Sequence, residues 1–171
     1  MNQDEGPKPG GIRHQSSVPP PPAATFGPLD LQTRSWPLLI LTVGDGASDD
    51  DWVQVIEAYR ITTTFPRKHV LLVDARGMSQ APSATQRRIL AEWQGHGENV
   101  EGVLLCTVLV VPSSAVRASL TAVNWITRPH IPQHLVPSMG RAVELCIEIL
   151  EEHAVPLNAA IADLMDRESL V

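Results

Sequence analysis

The chain has 171 residues, 43% hydrophobic and 19% charged, with a formal net charge of −6. That is ordinary globular composition and enough length to enclose one core. No apolar run approaches the eighteen or so residues of a membrane span, so no membrane role is expected. Nor is nucleic-acid binding: among the 13 basic residues only Lys8 and Lys68 are lysines, and no basic stripe alternates with aromatics.

Residues 1–25 read as a disordered tail. The segment "GPKPGGIRHQSSVPPPPAA" is rich in Pro, Gly and Ser and has almost nothing to bury. The opening "MNQDEGPKPGG" has acids and glycines where a signal peptide needs a basic region and an apolar core. The prolines at 19–22 favour extended polyproline geometry, a spacer by default and a ligand for an aromatic groove at most.

From there the pattern alternates. "FGPLDLQTRSW" predicts a first edge strand with Pro28 near its start. "PLLILTVG" predicts a fully buried strand. "GASDDDWVQVIEAYRITTTF" predicts a helix with Trp52, Val55, Ile56 and Tyr59 inward, capped by Ser48 or Asp49. "HVLLVDA" is the next strand, with His69 in a turn context and Asp74 at its end. Ser83 opens a second helix with Ile89, Leu90 and Trp93 on its apolar face. "GVLLCTVLVV" is the central strand, and "PSSAVRASLTAVNWI" turns directly into a helix. "PHIPQHLVPS" gives a short strand interrupted by Pro132. "MGRAVELCIEILEEH" gives a helix with Val143, Cys146, Ile147 and Leu150 inward. "PLNAAIADLMDRESL" gives a terminal helix with Ile161, Leu164 and Met165 on one face.

Helices alternating with apolar strands imply an α/β domain whose mainly parallel sheet, about five strands, is covered on both faces. The expected division is a tail at 1–25, a domain at 26–155 and a C-terminal helix at 156–171. Ligands in such sheets bind beyond the carboxyl ends of the strands. Asp45, residues 74–85 and residues 112–117 lie there.

The element order resembles the STAS domain of bacterial anti-sigma-factor antagonists, and more closely the SpoIIAA-like group of STAS/Sec14-type proteins. The resemblance runs from about residue 36 to 154. It is carried by "VLLVDARG", "QRRILAEW", "VLVVPSSAVRASLTAVNW" and "GRAVELCIEIL". It implies a bacterial, cytoplasmic signalling module without catalysis or cofactor. In the best-studied members a partner kinase phosphorylates a Ser at the start of the helix after the central strand, which changes protein binding. Asp74 and Gly77 keep the family's separation. Where the family has Asp-Ser-Ser-Gly, this chain has Pro82, Ser83, Ala84 and Thr85, so the usual phosphorylated position falls on Ala84. Ser83 and Thr85 are its neighbours.

The candidate site is therefore Asp74, Arg76, Gly77, Ser83, Thr85, Arg87 and Arg88, with a second loop of Ser113, Ser114 and Arg117. Ser83 also reads as a plain N-cap. As a phosphate carrier it would meet free N–H groups and the positive end of the helix, with Arg87 and Arg88 one turn on. Asp74 as a receiver-type phospho-acceptor lacks the lysine expected after the last strand. "DGASDDD" lacks the spaced ligands of a calcium loop, and Pro132 breaks the His130/His134 pair as a metal site. No phosphate-loop, dinucleotide or nucleophile-elbow motif occurs. Cys106 and Cys146, both in apolar runs, read as reduced buried thiols, with a single bridge as the alternative.

Three functions remain. The first is a non-enzymatic regulatory domain docking a protein partner, a regulator or a kinase. The second is a small apolar-ligand binder of Sec14-like type, lined by Trp36, Trp52, Trp93 and Trp125. The third is a homo-oligomeric scaffold built through the terminal helix.

Overall fold

The computed structural model describes residues 22–63, 67–79, 82–95, 102–114, 117–118 and 131–168. The chain folds around one sheet whose six strands lie side by side in chain order. Strands β1 (Ala24–Phe26), β2 (Leu29–Gln32) and β3 (Leu38–Gly44) are antiparallel neighbours. From β3 the sheet continues in parallel through β4 (His69–Gly77), β5 (Leu104–Val110) and β6 (Gln133–Val136). Among the described residues four helices accompany it: α1 (Asp49–Thr63), α2 (Ala84–Gly95), α3 (Met139–Glu152) and α4 (Ala159–Glu168); the helix expected after β5 lies mostly outside the described residues.

The expected α/β class and mainly parallel sheet are present, with six strands in place of about five. The extra strand comes from splitting "FGPLDL". Gly27 takes a φ of +52° at the first turn position and Pro28, which has no N–H, follows. Such a Gly-X turn folds the segment into a hairpin pairing Phe26 with Leu29.

Strand alternation divides the core in two. Leu39, Leu41, Val43 and Leu71 face α1 and α2, packing on Trp52, Val55 and Tyr59 with Ile89 and Leu90 at the margin. Leu38, Ile40, Val70, Leu72, Val108 and Val110 face the opposite way, onto Val143, Cys146, Ile147 and Leu150 of α3 and Ile161 of α4. Fully burying one such side chain contributes roughly 1.5–3 kcal/mol, so both layers are needed to hold the sheet. Burial pushes the Cys106 thiol up to about 11 and that of Cys146 further up, and both cysteines are free. Thiols held protonated in this way are poor nucleophiles.

The terminal helix folds back on its own domain. Asn158 caps it, its Oδ1 accepting the Ile161 N–H at 3.1 Å. The same side chain donates from Nδ2 to the carbonyls of Trp36 at 2.7 Å and Arg34 at 3.3 Å. One residue thus fixes α4 to the β2–β3 turn, and Ile161 is 1% exposed beneath it. Of the terminal helix's apolar stripe, Ile161 and, in part, Leu164 pack onto the domain, and the Met165 side chain lies outside the described residues.

His69 does not lie in a turn. It begins β4, is fully buried, and touches both Tyr59 and Trp36. Its Nδ1 lies 3.0 Å from the Arg67 carbonyl, which can only accept, so Nδ1 carries the proton. Its Nε2 then accepts the Tyr59 hydroxyl at 2.7 Å. Burial lowers the His69 pKa, against a smaller opposing effect of the Arg67 carbonyl, and burial raises that of Tyr59. Trp36 stacks on the imidazole with ring centroids 5.3 Å apart. Of the other tryptophans, Trp52 is core, whereas Trp125 and the side chain of Trp93 lie outside the described residues, as do His96 and His130.

Candidate functional site

The helices that follow the parallel strands begin at one edge of the sheet, the carboxyl edge. Each described start is closed by a serine. Ser48 and Asp51 form a reciprocal cap on α1: the Asp51 N–H donates to Ser48 Oγ at 3.1 Å and the Ser48 N–H to Asp51 Oδ2 at 2.8 Å. The Ser48 hydroxyl adds a third bond to the same carboxylate oxygen at 2.7 Å and is the largest cause of the lowered Asp51 pKa. Asp49 and Asp50 stand beside it in the first turn, where the helix dipole favours acids. Ser138 caps α3.

Ser83 is the cap of α2. Its Oγ accepts the Gln86 N–H at 3.1 Å, and Gln86 Oε1 accepts the Ser83 N–H at 2.9 Å. This is a complete capping box. Gln86 has a third bond, from Nε2 to the carbonyl of Ala47 at 2.8 Å. Asp45 Oδ1 accepts the Ser79 N–H at 2.6 Å, the largest cause of the lowered Asp45 pKa. The loop after β3 and the loop after β4 are therefore joined twice, by Asp45–Ser79 and by Ala47–Gln86. These partners are 34 and 39 residues apart in the chain, so nothing local in the sequence marks them.

Asp74 does not end its strand. It pairs in register with Thr42 and Val110, and β4 runs on to Gly77. Its side chain is nearly buried and faces Arg76 in a fork: Nε to Oδ1 and Nη2 to Oδ2, both at 2.9 Å. The Arg76 N–H adds a bond to Oδ1 at 3.1 Å. This bidentate arrangement is the strong form of the carboxylate–guanidinium pair and orients Arg76, itself about half exposed, along the edge. Gly77 is there for space: a Cβ would come within 3.0 Å of the Val43 carbonyl oxygen.

Thr85 is exposed on the first turn of α2. Arg87 turns back to donate to the Pro82 carbonyl at 3.0 Å, which keeps its guanidinium at the helix start. Arg88 faces away, 3.6 Å from Glu92 in an exposed pair that contributes well under about 1 kcal/mol. In the second loop Ser113 and Ser114 are exposed. Arg117 Nη1 donates to the carbonyls of Val111 and Pro112, both at 2.6 Å, closing the end of β5. Its guanidinium serves its own loop instead of reaching toward Ser83.

Of the residues singled out from sequence, Asp74, Arg76, Gly77, Ser83, Thr85 and Arg87 share one stretch of the carboxyl edge. Asp45 and Ser79 fell in the region expected at the carboxyl edge without being singled out for a role, and Ala47 and Gln86 were missed as partners that join its loops. The only sequence signal for Gln86 was its place three residues after Ser83. Among the described residues no three His, Cys, Asp or Glu side chains come together as a metal-holding group, and every buried side-chain nitrogen and oxygen has a partner. No helix among them is long and apolar enough to cross a membrane. No protein-family model matches the chain, and no curated protein matches it significantly.

Proposed function

We propose that the chain is a regulatory protein-interaction domain of STAS/SpoIIAA-like type, acting in a bacterial cytoplasm without catalysis of its own. The observation that carries this reading is the doubly joined pair of loops at the carboxyl edge. It presents Ser83 and Thr85, both exposed, at the positive end of α2 beside Arg87. A partner reads that surface, and phosphate placed there alters docking. A dianion at this position meets the N–H groups of the helix start and a guanidinium one turn away, the chemistry that stabilises phosphate at helix starts. Thr85 is the freer of the two acceptors, since the Ser83 hydroxyl already closes the helix.

The test is to purify the native protein from its own cells with whatever it binds, identify the partner by mass spectrometry and map phosphate on residues 83–85. Partner binding is then compared for the unmodified chain and for Ser83→Glu and Thr85→Glu. A change of tenfold or more supports the reading. Unchanged binding by both variants would sink the switch, and a bound small molecule with no protein partner would sink the docking role.

A further inference from the structure

We propose that Gln86 transmits a charge placed on Ser83 to the loop between β3 and α1 and the acidic helix start it leads into, so that the surface altered by the switch is that segment as well as α2. This deepens the reading given under Proposed function and rests on it for the biological use of the charge. The coupling itself stands on the three hydrogen bonds of Gln86.

Gln86 is bonded in two directions at once. Toward Ser83 it completes the capping box, with its backbone N–H on Ser83 Oγ at 3.1 Å and its Oε1 on the Ser83 N–H at 2.9 Å. Toward the neighbouring loop its Nε2 donates to the Ala47 carbonyl at 2.8 Å. The carboxamide has one oxygen and one nitrogen end, and the present orientation satisfies both. An anion on Ser83 changes that balance. Its oxygens are strong acceptors, which draw the donor end of the carboxamide. They also take over the N–H groups of the first turn. Gln86 then turns its nitrogen toward the anion and releases Ala47.

Ala47 is one residue before Ser48, whose cap with Asp51 starts α1. Once the Gln86 bond is lost, the loop is still held through Asp45, whose Oδ1 accepts the Ser79 N–H at 2.6 Å in an exposed contact that the Ser79 side chain supports. The loop carrying Asp45, and with it the acidic first turn of α1 that begins at Asp49, is thereby loosened while the sheet beneath it, built on Val43 and Leu71, is untouched.

The experiment is residue-resolved amide hydrogen exchange by NMR on the full chain, following Ser48 and Asp51, in wild type, Ser83→Asp, Gln86→Glu and the double variant. Aspartate keeps a capping oxygen and adds the charge. Glutamate keeps the acceptor for the Ser83 N–H but cannot donate to Ala47. Ser83→Asp and Gln86→Glu should each speed exchange of these two amides about fivefold, as expected for the net loss of one hydrogen bond. The double variant should be no faster than Gln86→Glu alone. The proposal is overturned if Ser83→Asp leaves Ser48 and Asp51 at the wild-type rate. It is equally overturned if Ser83→Asp adds the same factor in both backgrounds, because the charge then acts without Gln86. None of these rates involves a partner, so failure of the docking role would leave them unchanged.

Discussion

Replacing Tyr59→Phe should destabilise the protein by about 1–3 kcal/mol, although it removes a single oxygen and leaves the ring in place. The reason lies in the imidazole it faces. His69 is fully buried, its Nδ1 proton is committed to the Arg67 carbonyl, and its Nε2 accepts the Tyr59 hydroxyl at 2.7 Å. Phenylalanine preserves the packing and deprives Nε2 of that donor, so the penalty is the desolvation of a buried acceptor. For a chain of this size, a loss of about 2 kcal/mol corresponds to a fall in Tm of roughly 4–8 °C. Urea and thermal unfolding followed by circular dichroism at pH 7.5 measure it. A change within about 0.5 kcal/mol, the usual range for surface substitutions, would refute the account. The same pair predicts a pH profile. Burial holds the folded-state pKa of His69 below its ordinary 6.5. Above that value the ring is neutral in both states and the stability is complete. As pH falls through 6.5 the unfolded chain takes up the proton first, and stability is lost until the folded pKa is reached. The slope approaches, and does not exceed, about 1.4 kcal/mol per pH unit for one group. Asp45 and Asp51, lowered from 3.8, act only at more acid pH. His69→Gln, whose carboxamide oxygen can still accept the Tyr59 hydroxyl, should flatten the His69 contribution between pH 7 and 5.

Two further substitutions probe the frame. Asn158→Ala removes the cap of α4 and its hold on the Trp36 and Arg34 carbonyls; a loss of about 1–2 kcal/mol is expected, with faster exchange of the Ile161 amide, and unchanged stability would mean that α4 is held by its apolar contacts at Ile161 and Leu164. Gly77→Ala pushes a methyl against the Val43 carbonyl at 3.0 Å; a cost of about 1–3 kcal/mol in urea unfolding is expected, whereas a neutral result would show that β3 and β4 can separate there freely.

How far the sequence carried depended on whether each feature is local. The continuous apolar runs at β3, β4 and β5 are visible because a strand buried on both faces needs no polar alternation. Ser83 was visible as a helix start because the hydroxyl and the chain turn are adjacent. The hairpin at Gly27 was legible in principle, since a glycine at the first turn position is its signature, but Pro28 pointed equally well to an edge strand. The Tyr59–His69 bond joins a helix to the following strand. Tyr59 extended the inward stripe of Trp52 and Val55, and His69 preceded an apolar run, yet no pattern says that two such residues meet. The ties from Asp45 to Ser79 and from Gln86 to Ala47 are longer still in sequence. They depend on β3 and β4 being parallel neighbours, which is a property of the assembled sheet.

The two ends of the sheet divide the labour physically. At the amino end the polar contacts are buried or fixed to the backbone: His69 lies between Tyr59, Trp36 and the Arg67 carbonyl, and Asn158 grips the turn beside them. Breaking any of these strands a desolvated group or releases an element, so changes there register as lost stability. At the carboxyl edge the contacts of Asp45, Ser48, Ser79 and Ser83 are exposed, where a broken hydrogen bond is largely replaced by water. Charge can therefore be added or removed at Ser83 or Thr85 for about the contribution of one cap, leaving the two core layers intact. An edge that can change its charge and loop order without unfolding the domain is what a docking switch requires. For the same reason the variants at Ser83, Thr85 and Gln86 should give folded protein, whose exchange rates and partner binding can each be read on their own.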